Sequence, residues 1–171
     1  MKKAEESYGG CLESGFFYFR VGNYERAANC YHKAVEKLSS AQSPQLPAAL
    51  YGLAHTYLKL KENQKAVDVF ADLLQIDGRN PVIYRDLGLV AVENGNAESG
   101  ERFLTKALEL APWSDELYRL LANLYLKLGD SKKAIALYEH GVQINPQNAN
   151  LKQELAFLYE KIIFQGSTFK M

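Results

Sequence analysis

The sequence predicts an all-α chain in which pairs of helices repeat and stack as a solenoid. Three observations predict it. The chain repeats itself: residues 81–112 and 115–146 align, and 115 minus 81 is 34. A period of that length marks architectures of stacked helix pairs. Each unit also holds two apolar stripes at helical spacing, such as Tyr118, Leu121 and Tyr125, then Ile135, Tyr138 and Val142. Breakers lie between the stripes, at Gly22-Asn23, Gly95-Asn96 and Gly129-Asp130.

A first helix over 8–20 carries Gly15 and Tyr18 and stops at Gly22, a residue suited to the left-handed turn that ends a helix. Asn23 is placed to cap a second helix over 24–39, with Ala27, Tyr31 and Ala34 on its apolar face. A 34-residue frame begun at Tyr8 would restart at 42. The next unit restarts at Pro47 instead, so five extra residues around 43–46 lengthen this connection. Pro47 suits the first position of a third helix over 47–60, where a missing N–H costs nothing. That helix carries Leu50, Leu53, Ala54 and Tyr57. Lys61, Glu62 and Asn63 make a less favourable turn into a fourth helix over 64–76, with Ala66, Phe70 and Leu73, which closes at Gly78. Pro81 opens a fifth helix over 81–93, and Asn96 caps a sixth over 97–110. A seventh over 114–127 and an eighth over 131–144 follow, the latter capped by Asp130. After Pro146, Leu155, Ala156 and Tyr159 place a ninth helix over 149–164.

These positions resemble the signature of the tetratricopeptide repeat (TPR) family, Trp-x2-Leu-Gly-x2-Tyr, then Ala-x3-Phe, then Pro. The matching residues of the third unit are Tyr84, Leu87, Gly88, Ala91, Gly100, Leu104, Ala107 and Pro112. Those of the fourth are Tyr118, Leu121, Ala122, Tyr125, Ala134, Tyr138, Gly141 and Pro146. The resemblance implies a right-handed α-solenoid of four helix-turn-helix repeats, over about 8–41, 47–80, 81–114 and 115–148. A capping helix over 149–164 completes a single domain spanning 1–171. The resemblance further implies a non-enzymatic scaffold or adaptor that binds a peptide or helix of a partner protein in its concave groove.

Composition narrows the classes of function. Twenty basic residues balance twenty acidic ones, so the basic stripe of a dedicated nucleic-acid binder is not expected. No run of eighteen apolar residues is present, so no membrane insertion is expected. The opening residues lack a hydrophobic signal segment, which points to the cytoplasm unless the chain is part of a longer one. Cys11 and Cys30 lack metal-ligand spacing and read as small apolar packing residues. His32, His55 and His140 do not cluster, and no nucleophile-elbow, phosphate-loop or zinc-helix motif occurs. No catalytic residue, metal or cofactor is therefore expected.

In the family so resembled, the first helix of each pair faces the concave side, and its groove stripe lies between the packing residues. Applied here, that frame gives Phe16 and Phe19 in the first repeat, and Tyr51, His55 and Leu58 in the second. It gives Arg85, Leu89 and Val92 in the third, and Arg119 and Asn123 in the fourth. The apolar members are expected to receive an amphipathic helix or an extended peptide. Arg85 and Arg119 are expected to hold an acidic group. The two-carboxylate clamp known in the family is not expected, because its places hold Leu12, Phe16, Gly52, Val82 and Asp86.

Two other readings remain open. One is self-assembly through the ends of the solenoid, which are apolar unless a polar cap covers them. Residues 15–19, Gly-Phe-Phe-Tyr-Phe, have no preceding cap, and the tail offers Ile162, Ile163, Phe164 and Phe169. Lys152, Glu154, Glu160 and Lys161 let the ninth helix act as the cap at the other end. The other reading is a regulatory or targeting module of a larger protein.

Overall fold

The computed structural model describes residues 8–167, with side chains from 10 to 161. Ile162, Ile163, Phe164 and Phe169, expected above to offer an apolar end, lie outside those described side chains. Among the described residues the secondary structure is helical throughout, with no strand. In chain order the helices are α1 (Tyr8–Arg20), α2 (Tyr24–Ser40), α3 (Leu46–Lys59), α4 (Asn63–Ile76) and α5 (Pro81–Glu93). They continue with α6 (Ala97–Leu110), α7 (Asp115–Lys127), α8 (Ser131–Ile144) and α9 (Ala149–Ser167).

Local chemistry sets the ends of these helices. The side chains of Asn23, Asn96 and Asp130 accept from the backbone N–H of Arg26, Ser99 and Lys133, at 3.2, 3.0 and 2.9 Å. Each satisfies a donor that the first helical turn would otherwise leave open. Just before these caps, Gly22, Gly95 and Gly129 take φ values of 77°, 78° and 79°. At the same place in the remaining turn stands Lys61, with φ 62°. Helix α3 starts one residue earlier than spacing predicts, where the Gln45 N–H donates to the Ser43 hydroxyl at 3.3 Å and the Leu46 N–H to the Ser43 carbonyl at 3.1 Å, turning the chain before Pro47.

The chain divides into two compact units, Met1–Arg79 and Asn80–Met171. In the first, α1 packs on α2, α2 on α3 and α3 on α4, and α1 also touches α3. Its interior holds Tyr31, Leu38, Leu50, Leu53, Ala54 and Phe70, all at most 5% exposed. In the second unit, α5 to α9 each pack on the next helix, and α7 also touches α9. There Leu104, Leu117, Tyr118, Leu121, Tyr138, Leu151 and Leu158 form one buried cluster. Stacking of successive antiparallel helices within each unit is the solenoid type of packing.

Candidate functional site

The first unit contains an open, aromatic hollow between α1 and α3. Its floor is Tyr31, which rises from α2 and is 1% exposed. Two glycines make room for that ring. A Cβ at Gly15 on α1 would stand 2.8 Å from Tyr31 Cδ1, and one at Gly52 on α3 would stand 2.4 Å from Tyr31 Cζ. Side chains at either place would collide with the ring, so α1 and α3 both lay bare backbone against it.

Above this floor lies a hollow of about 460 Å³, lined by Phe16, Phe19, Tyr31, Ala48, Tyr51, Gly52 and His55. Phe16 is 51% exposed and meets Tyr31 edge to face, with centroids 5.9 Å apart. Phe19 is half-buried and meets Tyr24 in the same way at 5.6 Å. Tyr51 and His55, one turn apart on α3, lie with ring centroids 4.4 Å apart. Both rest edge-on against the buried Phe70 of α4, at 6.2 and 5.8 Å. These rings are therefore held from beneath while they line the hollow. T-shaped aromatic contacts of this kind add to the burial energy of the rings.

The electrostatics of the hollow are weak. Burial, with a smaller contribution from Cys30, pushes the Tyr31 phenol up to about 12. The floor is thus neutral at ordinary pH. Thr56, fully buried behind the site, donates its hydroxyl to the Gly52 carbonyl at 2.6 Å. No Lys, Arg, Asp or Glu is among the lining residues. Such a site selects by apolar area and shape.

The other stripe residues lie elsewhere. Leu58 is half-buried on α3 and is not part of the hollow's lining. In the second unit, Leu89, Val92 and Asn123 share a hollow of about 390 Å³ with Leu104, Leu120, Leu124, Leu126 and Lys127. Arg119 lines a separate one of about 310 Å³ with Asn150, Gln153, Glu154 and Phe157. Arg85 faces two carboxylates of its own chain. Its Nε donates to Oδ1 of the buried Asp86 at 2.9 Å, and its Nη1 to Glu116 at 3.3 Å. Helical spacing puts Arg85 on the groove stripe but does not reveal that Glu116 on α7 lies beside it. Spacing also misses the floor. Tyr31 and Gly52 read as a packing residue and a failed clamp position, and nothing local pairs Gly52 with Gly15. Their signal was glycine in the middle of two apolar helices, at positions with no turn to make.

Cys11 is buried and Cys30 half-buried, in a smaller hollow between α1 and α2. Among the described residues, no three His, Cys, Asp or Glu side chains are grouped to hold a metal ion, and no helix is long and apolar enough to cross a membrane.

Two tetratricopeptide repeat family models match the chain, one over residues 10–78 and one over 91–156. The chain is similar to interferon-induced protein with tetratricopeptide repeats 3 of Mus musculus, 27% identical over 156 residues. It is also similar to interferon-induced protein with tetratricopeptide repeats 2 of Homo sapiens, 30% identical over 162 residues. Each match covers 90% of this chain, but the chain spans only 38% and 33% of those relatives. Among solved structures, a tetratricopeptide repeat protein from Parabacteroides merdae ATCC 43184 superposes with a TM-score of 0.75 at 18% identity. That match covers 88% of this chain and 58% of the other, and it bears on the fold alone.

Proposed function

The chain belongs to the tetratricopeptide repeat family, and from that premise we propose that its α1/α3 hollow receives an apolar segment of a partner protein. Proteins of this family generally serve as protein-interaction scaffolds, and both matching models are repeat models rather than those of a catalytic domain. The observation that carries the finer reading is the set of aromatic rings from two helices that line one hollow and rest on Tyr31 and Phe70.

Burying one large apolar side chain contributes about 1.5–3 kcal/mol. Two such anchors from one face of an amphipathic helix, or from alternate residues of an extended peptide, offset much of the cost of ordering that segment. The floor needs no rearrangement to receive them. Leu89, Val92 and Asn123, around the hollow of the second unit, are read as further partner contacts. With Arg85 engaged by Asp86 and Glu116, an acidic group of the partner falls to Arg119.

Substituting Tyr51→Glu or Phe16→Asp should remove capture of the partner segment and leave the helical content unchanged, since Phe16 is 51% exposed and Tyr51 half-buried. Titration of a cognate peptide against parent and variants measures this. Equal affinity in all three would dispose of the reading.

A further inference from the structure

Helix α9 repeats the register of the first helices, yet among the described residues its outer face is exposed at Ala156 and Phe157. In the earlier first helices one small residue sits where the paired second helix comes closest. Ala54 and Ala122 are 0% exposed there. A Cβ at Gly88, the same place in α5, would stand 2.7 Å from Leu104 of α6. Ala156 is the equivalent position in α9, since 156 minus 122 is 34 and 122 minus 88 is 34. Ala156 is nevertheless exposed, and among the described residues no second helix covers it. Beside it, Phe157 is 63% and Tyr159 41% exposed. The opposite face of α9 is satisfied, with Leu151 and Leu158 buried in the cluster of the second unit.

The charges on this exposed face complement themselves. Lys152, Ala156 and Glu160 follow at steps of four, so they share one face, and all three are exposed. Consider two such helices laid antiparallel about a two-fold axis at Ala156. Each Lys152 then faces Glu160 of the second copy. The small Ala156 lets the backbones approach, and the two Phe157 rings, one residue from the axis, lie on the same side of the pair and meet over the contact. Charge thus favours this antiparallel register over a parallel one, which would set each Lys152 beside Lys152 and each Glu160 beside Glu160.

We propose that the outer face of α9 is a homodimer interface, paired antiparallel with α9 of a second copy about a two-fold axis at Ala156. A closed two-fold contact uses the same patch on both copies and leaves no open end for further growth. It covers exposed Phe157 and fills the seat that a second helix occupies in the preceding pairs. The interface is distinct from the α1/α3 hollow, so a dimer presents two copies of that hollow and engages a divalent partner with avidity.

Sedimentation equilibrium of the 171-residue chain tests this. The parent chain should show a concentration-dependent monomer–dimer equilibrium. Lys152→Glu and Glu160→Lys should each weaken it by about tenfold, because symmetry turns two attractive contacts into two repulsive ones. The double variant K152E/E160K should return to parental behaviour. Phe157→Asp should abolish dimerisation and leave helical circular dichroism intact. A parent chain that stays monomeric up to about 1 mM overturns the proposal, whether or not the face then binds some other helix. A double variant no better than the single ones overturns it as well.

Discussion

At the scale of single residues, the hollow depends on the absence of two side chains. Glycine in a helix interior costs about 1 kcal/mol relative to alanine, so Gly52→Ala would stabilise α3 if the site had space. It has none: the added Cβ would stand 2.4 Å from the ring of Tyr31, which is 1% exposed. Overpacking of a filled interior costs about 1–3 kcal/mol. Steric cost wins, and Gly52→Ala should lower stability by about 1 kcal/mol or more, read as a lower urea midpoint. An unchanged or higher midpoint would mean that Tyr31 is not wedged between α1 and α3. The same residues show how far sequence reaches. Phe16, Phe19, Tyr51 and His55 can be picked out by their steps of three and four along α1 and α3, and they line one hollow. Tyr31 and Gly52 escape that reasoning, because their partnership joins three helices. Arg85 shows the converse. Its place on the stripe is legible, but its engagement by Asp86 and Glu116 depends on how α5 and α7 pack.

At the scale of elements, turn chemistry made most helix boundaries legible. Glycine followed by Asn or Asp is a local signal, and Gly22, Gly95 and Gly129 indeed take positive φ ahead of their caps. The turn into α4 is the exception, with Lys61 at φ 62° and Glu62 making no side-chain cap. A residue other than glycine in this region costs about 1–2 kcal/mol. Glycine there loses about 0.4–1 kcal/mol through extra freedom in the unfolded chain. The balance favours the substitution, so Lys61→Gly should stabilise the chain by about 0.5–1 kcal/mol, seen as a raised melting temperature. A fall in melting temperature would mean that the Lys61 side chain contributes more than its backbone conformation costs. The irregular link at 43–46 was legible only as a count of five surplus residues. Its turn, held by the Gln45 N–H on the Ser43 hydroxyl and the Leu46 N–H on the Ser43 carbonyl, was not, because no glycine or cap pair marks it.

At the scale of the whole molecule, the interior of each compact unit is rich in buried phenols. Burial pushes Tyr31 in the first unit up to about 12. Tyr125 and Tyr138 in the second unit are likewise raised to about 12, with burial the largest cause and Glu101 accepting from Tyr125 at 2.9 Å. A phenol whose value is higher folded than unfolded binds its proton more tightly in the folded state. That stability is complete below the unfolded value near 10, and it is lost as pH rises toward 12. The chain should therefore unfold in alkali between about pH 10 and 12, with tyrosinate absorbance rising together with loss of helical circular dichroism. Tyrosinate appearing fully near pH 10 with the helices intact would contradict the buried phenols. The helical-repeat fold itself was legible from the 34-residue period, because within each unit a helix packs chiefly on its sequence neighbours and the pattern needs only local register. Which face binds is a property of the side chains left over from packing, and the sequence narrows these without fixing them.

The most direct measurement of the central claim is selection of binders from a displayed random-peptide library by the parent chain, followed by titration of the selected peptides against Tyr51→Glu and Phe16→Asp. Recognition in the α1/α3 hollow predicts peptides with two or more large apolar residues on one face, binding the parent and weakened at least tenfold by either substitution, as loss of one buried anchor requires. Selected peptides that bind both variants as tightly as the parent would place recognition elsewhere on the chain and contradict it.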